Sequence, residues 1–197
     1  MADFAVPAMK TIALVAENGA GKGFFVKIIK KLLPELSIVS VRFSDPLVEI
    51  LDLLDKQRSR DNIDALVTAL REAFHDQGIL EGALKKRLQG IKSDIIILDG
   101  LRKKKEVSLV RESNGIFVYI TADQRVRYER RKREAEKPDE LGMSWDQFVE
   151  QGNAPPQREI RHIGETMADA TIENNGSVEE FELKVKEFIQ RYHLAEK

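Results

Sequence analysis

Lys22 stands in a glycine-rich run, Asn18-Gly19-Ala20-Gly21-Lys22-Gly23-Phe24. The glycines allow successive backbone N–H groups to turn toward a single anion, and the lysine adds a full positive charge beside them. A β-branched apolar stretch (Ile12, Ala13, Leu14, Val15) leads into the run. Behind it Phe24, Phe25, Ile28, Ile29, Leu32 and Leu33 recur at helical spacing. Strand, glycine turn and helix with lysine at its start form a phosphate-binding loop, in which the helix N-terminus also favours negative charge. Two positions depart from the general motif G-x-x-x-x-G-K-[ST]: Ala16 replaces the first glycine and Gly23 the hydroxyl residue. The loop therefore offers no hydroxyl to a divalent cation.

Further chemistry lies downstream. The apolar run 95–98 ends in Asp99-Gly100. A carboxylate at a strand end, beside a phosphate loop, would hold Mg²⁺ directly or through water. Asp-Gly is also a common turn pair, so a plain turn reading stands beside the metal one. Arg102, three residues on, has the reach for a phosphate or stands in solvent. Arg60 and Arg71 have guanidinium forks that match phosphate oxygens, and each reads equally well as a surface charge. Arg125, Arg127, Arg130, Arg131, Lys132 and Arg133 fall on one expected helix. Acidic residues surround them and the net charge is −1, which argues against nucleic acid as the partner.

The loop Asn18-Gly19-Ala20-Gly21-Lys22-Gly23 resembles that of adenylate kinase and its relatives, where glycine also follows the lysine; the usual threonine one place later is Phe24 here. Asp99-Gly100-Leu101-Arg102 resembles the corresponding stretch of small archaeal and bacterial kinase-like proteins related to adenylate kinase. More loosely it is similar to phosphomevalonate and phage deoxynucleotide kinases. The stretch 168–177 resembles their last strand and loop. The resemblance implies a P-loop NTPase of the nucleoside monophosphate kinase type, with ATP and Mg²⁺ as cofactors and a small nucleotide-like acceptor as partner. ATP would be held by Asn18, Gly19, Ala20, Gly21, Lys22, Gly23 and Phe24, with Asn175 and Gly176 beside the adenine. Asn175 and Gly176 also suffice as a turn before a helix cap. Lys22, Asp99, Arg127, Arg130 and Arg131 would act on the transferred phosphoryl group, joined by Arg158 and Arg161 from the far side of a closing lid. Arg42, Asp45, Arg60, Arg71 and Arg102 would bind the acceptor, although Asp45 before Pro46 equally reads as a helix start.

These residues need a scaffold, and the chain alternates strand-like runs with amphipathic helices, the pattern of a parallel sheet covered on both faces. Strands are expected at 11–16, 38–43, 95–98, 116–121 and 170–173. Helical faces collect Leu47, Ile50, Leu51 and Leu54, then Ile63, Leu66, Val67, Leu70 and Phe74. Ser177-x-x-Glu180 opens the last helix as a capping box, with Val178, Phe181, Val185, Phe188, Ile189 and Tyr192 inward. The expected fold class is α/β, a five-stranded parallel sheet flanked by helices, as one domain over 1–197. Its core would be 8–45, 91–133 and 157–197, with an acceptor-binding helical insertion at 46–90 and a lid at 134–156. Both excursions would hang over the carboxyl edge of the sheet, where ligands of such folds bind.

Composition narrows the function classes. With no cysteine among 197 residues, disulfides, zinc-thiolate sites and thiol catalysis are excluded, and a reducing cytosol is expected. The first residues are too weakly apolar for a signal peptide and no run reaches membrane-spanning length, so a soluble intracellular protein is expected. The first function reading is a (deoxy)nucleoside monophosphate kinase. Beside it stand a dephospho-coenzyme A kinase and, from another class, a regulatory nucleotide-binding ATPase without a small-molecule acceptor.

Overall fold

The structure is a computed structural model that describes residues 10–133 and 143–196; the side chains of Arg60, Lys105 and Leu109 lie outside what it describes. Five parallel strands form the sheet: β1 (Lys10–Ala16), β2 (Ile38–Arg42), β3 (Ile95–Asp99), β4 (Ile116–Thr121) and β5 (Ala170–Glu173). Their spatial order is β2-β3-β1-β4-β5. The glycine loop therefore leaves the central strand, with β3 on one side and β4 on the other. Register brings Leu14 level with Asp99, and Asp99 level with Arg42, so those residues share the carboxyl edge.

The apolar runs that looked unpatterned in sequence alternate across the sheet. Ile12, Leu14, Ile95, Ile97, Val118 and Ile120 point to one face, where they meet Phe25 and Ile29 of α1 (Lys22–Leu32) and Phe181, Val185 and Phe188 of α9 (Val178–Arg191). Ala13, Val15, Ile96, Leu98, Phe117 and Tyr119 point to the other. There they meet Val107 and Val110 of α5 (Lys104–Glu112) and Ile160 and Ile163 of α8 (Pro155–Met167). A strand buried on both faces needs apolar residues at every position, which is why the period-two signal is absent. Each large side chain so buried contributes roughly 1.5–3 kcal/mol, before conformational entropy is charged against it.

Between β2 and β3 run three helices, α2 (Asp45–Leu53), α3 (Arg60–Ala73) and α4 (Ile79–Gln89). Leu47 and Leu51 of α2 and Leu84 of α4 are buried, whereas α3 contributes no fully buried residue among those described. Leu54 and Phe74, expected on inward faces, are exposed, because each is the C-cap of its helix and has left the amphipathic stripe. Val178 is exposed for the converse reason: it opens α9 before the helix reaches the sheet. After β4 come α6 (Gln124–Arg133), α7 (Trp145–Asn153) and α8. The expected lid, 134–156, lies outside the described residues over 134–142. Its remainder is α7, started by a capping box in which Ser144 Oγ accepts from Gln147 N and Gln147 Oε1 accepts from Ser144 N, and then the Pro155 start of α8.

Candidate active site

The turn between β1 and α1 is shaped by glycine at two points. Gly19 has φ 81° and Gly21 φ 103°, both in the left-handed region that side chains avoid. Space forbids a side chain as well. A Cβ on Gly19 would lie 2.7 Å from the Arg127 carbonyl oxygen, and one on Gly21 would run into the Asn174 amide nitrogen. The loop therefore rests on α6 at one point and on the β5–α9 connection at another. Ala20 N donates to Glu17 O at 3.2 Å, and Phe25 N donates to Gly21 O at 3.0 Å to begin the helix.

Lys22 leaves the first turn of α1 and reaches Asp99 at the end of β3, Nζ to Oδ1 3.6 Å. That Asp99 oxygen is buried and accepts no hydrogen bond. A buried carboxylate oxygen without a donor, facing a lysine beside an anion loop, is the atom a divalent cation would use. Gly23 and Phe24 supply no oxygen. Among the described residues no three acidic or imidazole groups converge, so Mg²⁺ here would complete its shell from phosphate oxygens and water. Phe24, expected at the ATP, stacks on Phe181 with centroids 5.9 Å apart.

The arginines of α6 separate by environment. Arg127 is buried, donating from Nε to Ala122 O at 2.9 Å, from Nη2 to Glu17 Oε1 at 3.0 Å and from Nη1 to Asn18 O at 3.4 Å. Burial pulls its pKa below the ordinary guanidinium value, against the pull of the Glu17 carboxylate. Arg127 was expected to meet the transferred phosphoryl; the geometry ties it beneath the loop, holding Asn18 from behind. Arg130 donates from Nη1 to Asn174 O at 2.7 Å and from Nη2 to Asn174 Oδ1 at 3.1 Å, while Asn174 Nδ2 donates to Ala20 O at 2.9 Å. Asn174 thus relays Arg130 to the loop. Arg131 is half-buried and borders a small cavity with Tyr128, Lys132, Met143 and Phe148. Arg125 lies over Trp145 at 5.0 Å and over Tyr128 at 5.6 Å. Arg158 is exposed, and Arg161 donates twice to Glu17.

On the other flank, Arg42 is exposed while its backbone N–H donates to Asp45 Oδ2 at 2.8 Å. Asp45 is the first residue of α2 and Ser44 its N-cap, so the Asp45 carboxylate ties the strand end to the helix start and does not cap the helix N–H groups. Arg102 is exposed, and its backbone N–H donates to Glu106 Oε2 at 2.5 Å. Arg71 is half-buried with Nε accessible to neither water nor a hydrogen-bond acceptor. Only the backbone of Arg60 is described, as the first residue of α3. Asn175 and Gly176 sit where the β5–α9 loop passes the α6 start. Asn175 Oδ1 accepts from Asp123 N at 2.6 Å and its Nδ2 donates to Asp123 Oδ1 at 3.2 Å. The Asn175 side chain locks two loops together, and Gly176 precedes the Ser177 cap.

Three residues of this edge carried no sequence signal. Glu17 is a buried carboxylate held by Arg127, Arg161 and the Tyr119 hydroxyl, the last at 3.1 Å. Burial, with Glu17 adding to it, pushes the Tyr119 phenol up to about 12, so it stays a donor. Asn174 is the third. Their partners lie 44 to 154 positions away, beyond any spacing rule.

No protein-family model matches the chain. It is 29% identical to a UPF0200 protein of Thermococcus kodakarensis over 180 residues, 87% of this chain and 91% of that protein. A UPF0200 protein of Thermococcus gammatolerans is 28% identical over 182 residues, 88% and 90% of the two chains. Among solved structures, shikimate kinase from Bacteroides thetaiotaomicron superposes with a TM-score of 0.60 at 17% identity, covering 93% of this chain and 98% of its own. A gluconokinase from Sinorhizobium meliloti superposes with a TM-score of 0.53 at 12% identity, covering 98% and 99%. At such identities the likeness is one of fold, and the fold is the α/β architecture expected from the sequence, a five-stranded parallel sheet flanked by helices.

Proposed function

We propose that this chain is an ATP-dependent phosphotransferase that moves the γ-phosphoryl group to a small acceptor, first of all a (deoxy)nucleoside monophosphate. The observation that carries the reading is the Lys22–Asp99 pair at the mouth of the glycine loop, with a buried Asp99 oxygen lacking any hydrogen bond. Loop N–H groups and the α1 N-terminus bind the β-phosphate, and Lys22 bridges transferred and leaving oxygens. Asp99 would hold Mg²⁺, which when bound neutralises charge on the phosphate oxygens. Arg130, and Arg131 beside it, come over the triphosphate as transfer develops charge. Arg71 from the helices 46–90 and Arg42 from the end of β2 turn to the acceptor, and α7 with the return into α8 covers the site and excludes water. A monophosphate acceptor is already ionised at neutral pH and needs no general base.

Shikimate kinase and gluconokinase share the fold, and a hydroxyl acceptor of the dephospho-coenzyme A kind is the second reading. Asp45 is less suited to be its base, since one of its oxygens already accepts from Arg42 N. The test is ADP release from MgATP with a panel of nucleoside monophosphates, dephospho-coenzyme A, shikimate and gluconate. Stimulation by one acceptor class is expected. Slow ADP release that no acceptor changes would overturn the kinase and leave a regulatory ATPase.

A further inference from the structure

Glu17 is the residue on which the two halves of this edge meet. It directly follows β1 and its side chain is 4% exposed. Oε1 accepts from Arg127 Nη2 at 3.0 Å, from Arg161 Nε at 3.0 Å and from Arg161 Nη2 at 2.9 Å; Oε2 accepts from the Tyr119 hydroxyl at 3.1 Å. One carboxylate thus serves two guanidinium groups, which leaves one positive charge in surplus at the base of the phosphate loop.

The two arginines are not equivalent. Arg127 is 4% exposed and is also bound to Ala122 O, so its departure would strand the buried carboxylate and the loop with it. Arg161 is 34% exposed, and its remaining contact, to Gly152 O, is long at 3.4 Å. If Arg161 leaves, Glu17 keeps Arg127 and Tyr119 as partners and no buried charge is orphaned. Arg161 also stands on α8, which is anchored to the sheet by Ile160 and Ile163 and by Gly164 against the Tyr119 ring. The guanidinium can therefore move while its helix stays in place.

We propose that Glu17 is a positioning residue that holds the Arg161 guanidinium against the base of the phosphate loop until a bound triphosphate competes for it and draws it onto phosphate oxygens. The Glu17 oxygen concerned already accepts from Arg127, which weakens its hold on a second cation. A polyphosphate presents several charged oxygens to the same fork. The cluster gives up its surplus charge where negative charge arrives, and the loop keeps the support of Arg127. This proposal rests on the kinase reading of the site.

Calorimetric titration with MgATP and with inorganic tripolyphosphate, alongside thermal melting, tests it. Arg161→Ala is expected to weaken both ligands by about tenfold or more, the loss of one charge-assisted fork. Glu17→Gln retains an acceptor but removes the competing charge, so it should bind MgATP more tightly than the natural protein. Arg161→Ala should then cost more in the Glu17→Gln background than alone. A cluster that only braces the fold would lower the melting temperature in each variant and leave both affinities unchanged, which overturns the proposal. Should Glu17→Gln fail to fold, Arg161→Lys takes its place: partial recovery of affinity over Arg161→Ala supports the proposal, and equal affinities of natural, Lys and Ala proteins overturn it. A natural protein that binds MgATP with no response at position 161 removes this proposal alone. One that binds no MgATP removes the phosphate-site reading and this proposal with it.

Discussion

Lys22 and Asp99 face each other across a 3.6 Å gap at the mouth of the loop, and the pair makes opposite demands on mutation. Lys22 is part-exposed and leaves the first turn of α1, so Lys22→Ala should keep the melting temperature while phosphoryl transfer falls by about a hundredfold or more. Retained turnover would remove the phosphate-loop reading. Asp99→Asn should act on metal dependence: because Gly23 and Phe24 bring no hydroxyl, the Mg²⁺ concentration for half-maximal activity should rise steeply. An unchanged Mg²⁺ titration would leave Asp99 as a turn residue. These two residues were legible because a motif fixes where the loop lysine and the terminal acid of the neighbouring strand, β3, must stand. Glu17 and Asn174 were not. Their function lies in bonds to residues 44 to 154 positions away, and a lone acid or amide at a strand end looks like any other until the sheet order is known.

At the scale of elements, the strands were legible to within a residue at each end, since five short apolar runs separated by helical patterns admit little else. Helix ends were less so. Leu54, Phe74 and Val178 continue an apolar spacing past the point where the helix has stopped touching the sheet, and spacing alone does not record that point. The start of α5 carries its own test. Glu106 Oε2 accepts from Arg102 N at 2.5 Å and Lys103 N at 3.0 Å, and burial raises its pKa, with Glu81 adding to the rise against those two bonds. A carboxyl whose pKa is higher folded than unfolded stabilises most below the unfolded value, and that contribution is lost as pH rises through the folded value. Glu106→Gln retains an oxygen for both N–H groups without the buried charge. Its melting temperature relative to the natural protein should therefore climb as pH goes from 4 toward 7. A difference that falls over that range would show that the two hydrogen bonds outweigh burial.

For the whole molecule, the proposed cycle depends on α7 moving against a sheet that does not. The sheet and its helices bury continuous apolar surface on both faces, whereas α7 buries only Phe148 and Gly152. It is held to α6 by a ring cluster, Trp145 on Tyr128 at 5.4 Å and Phe148 on Tyr128 at 5.5 Å, with the Arg125 guanidinium 5.0 Å over the indole. An element with so little anchoring sits at the low end of local stability and can open without unfolding the core. Trp145 is the chain's single tryptophan, so its fluorescence reports this contact without labelling. MgATP with an acceptor or acceptor analogue should shift that emission and protect residues 145–153 from hydrogen exchange, while MgATP alone should do less of both. The comparison separates a kinase from an ATPase that merely binds nucleotide, because only a kinase gains by sealing the site when both substrates are present. Equal emission and equal exchange with and without ligands would mean that α7 is a fixed part of the scaffold, and the covering role assigned to 143–156 would fall with it.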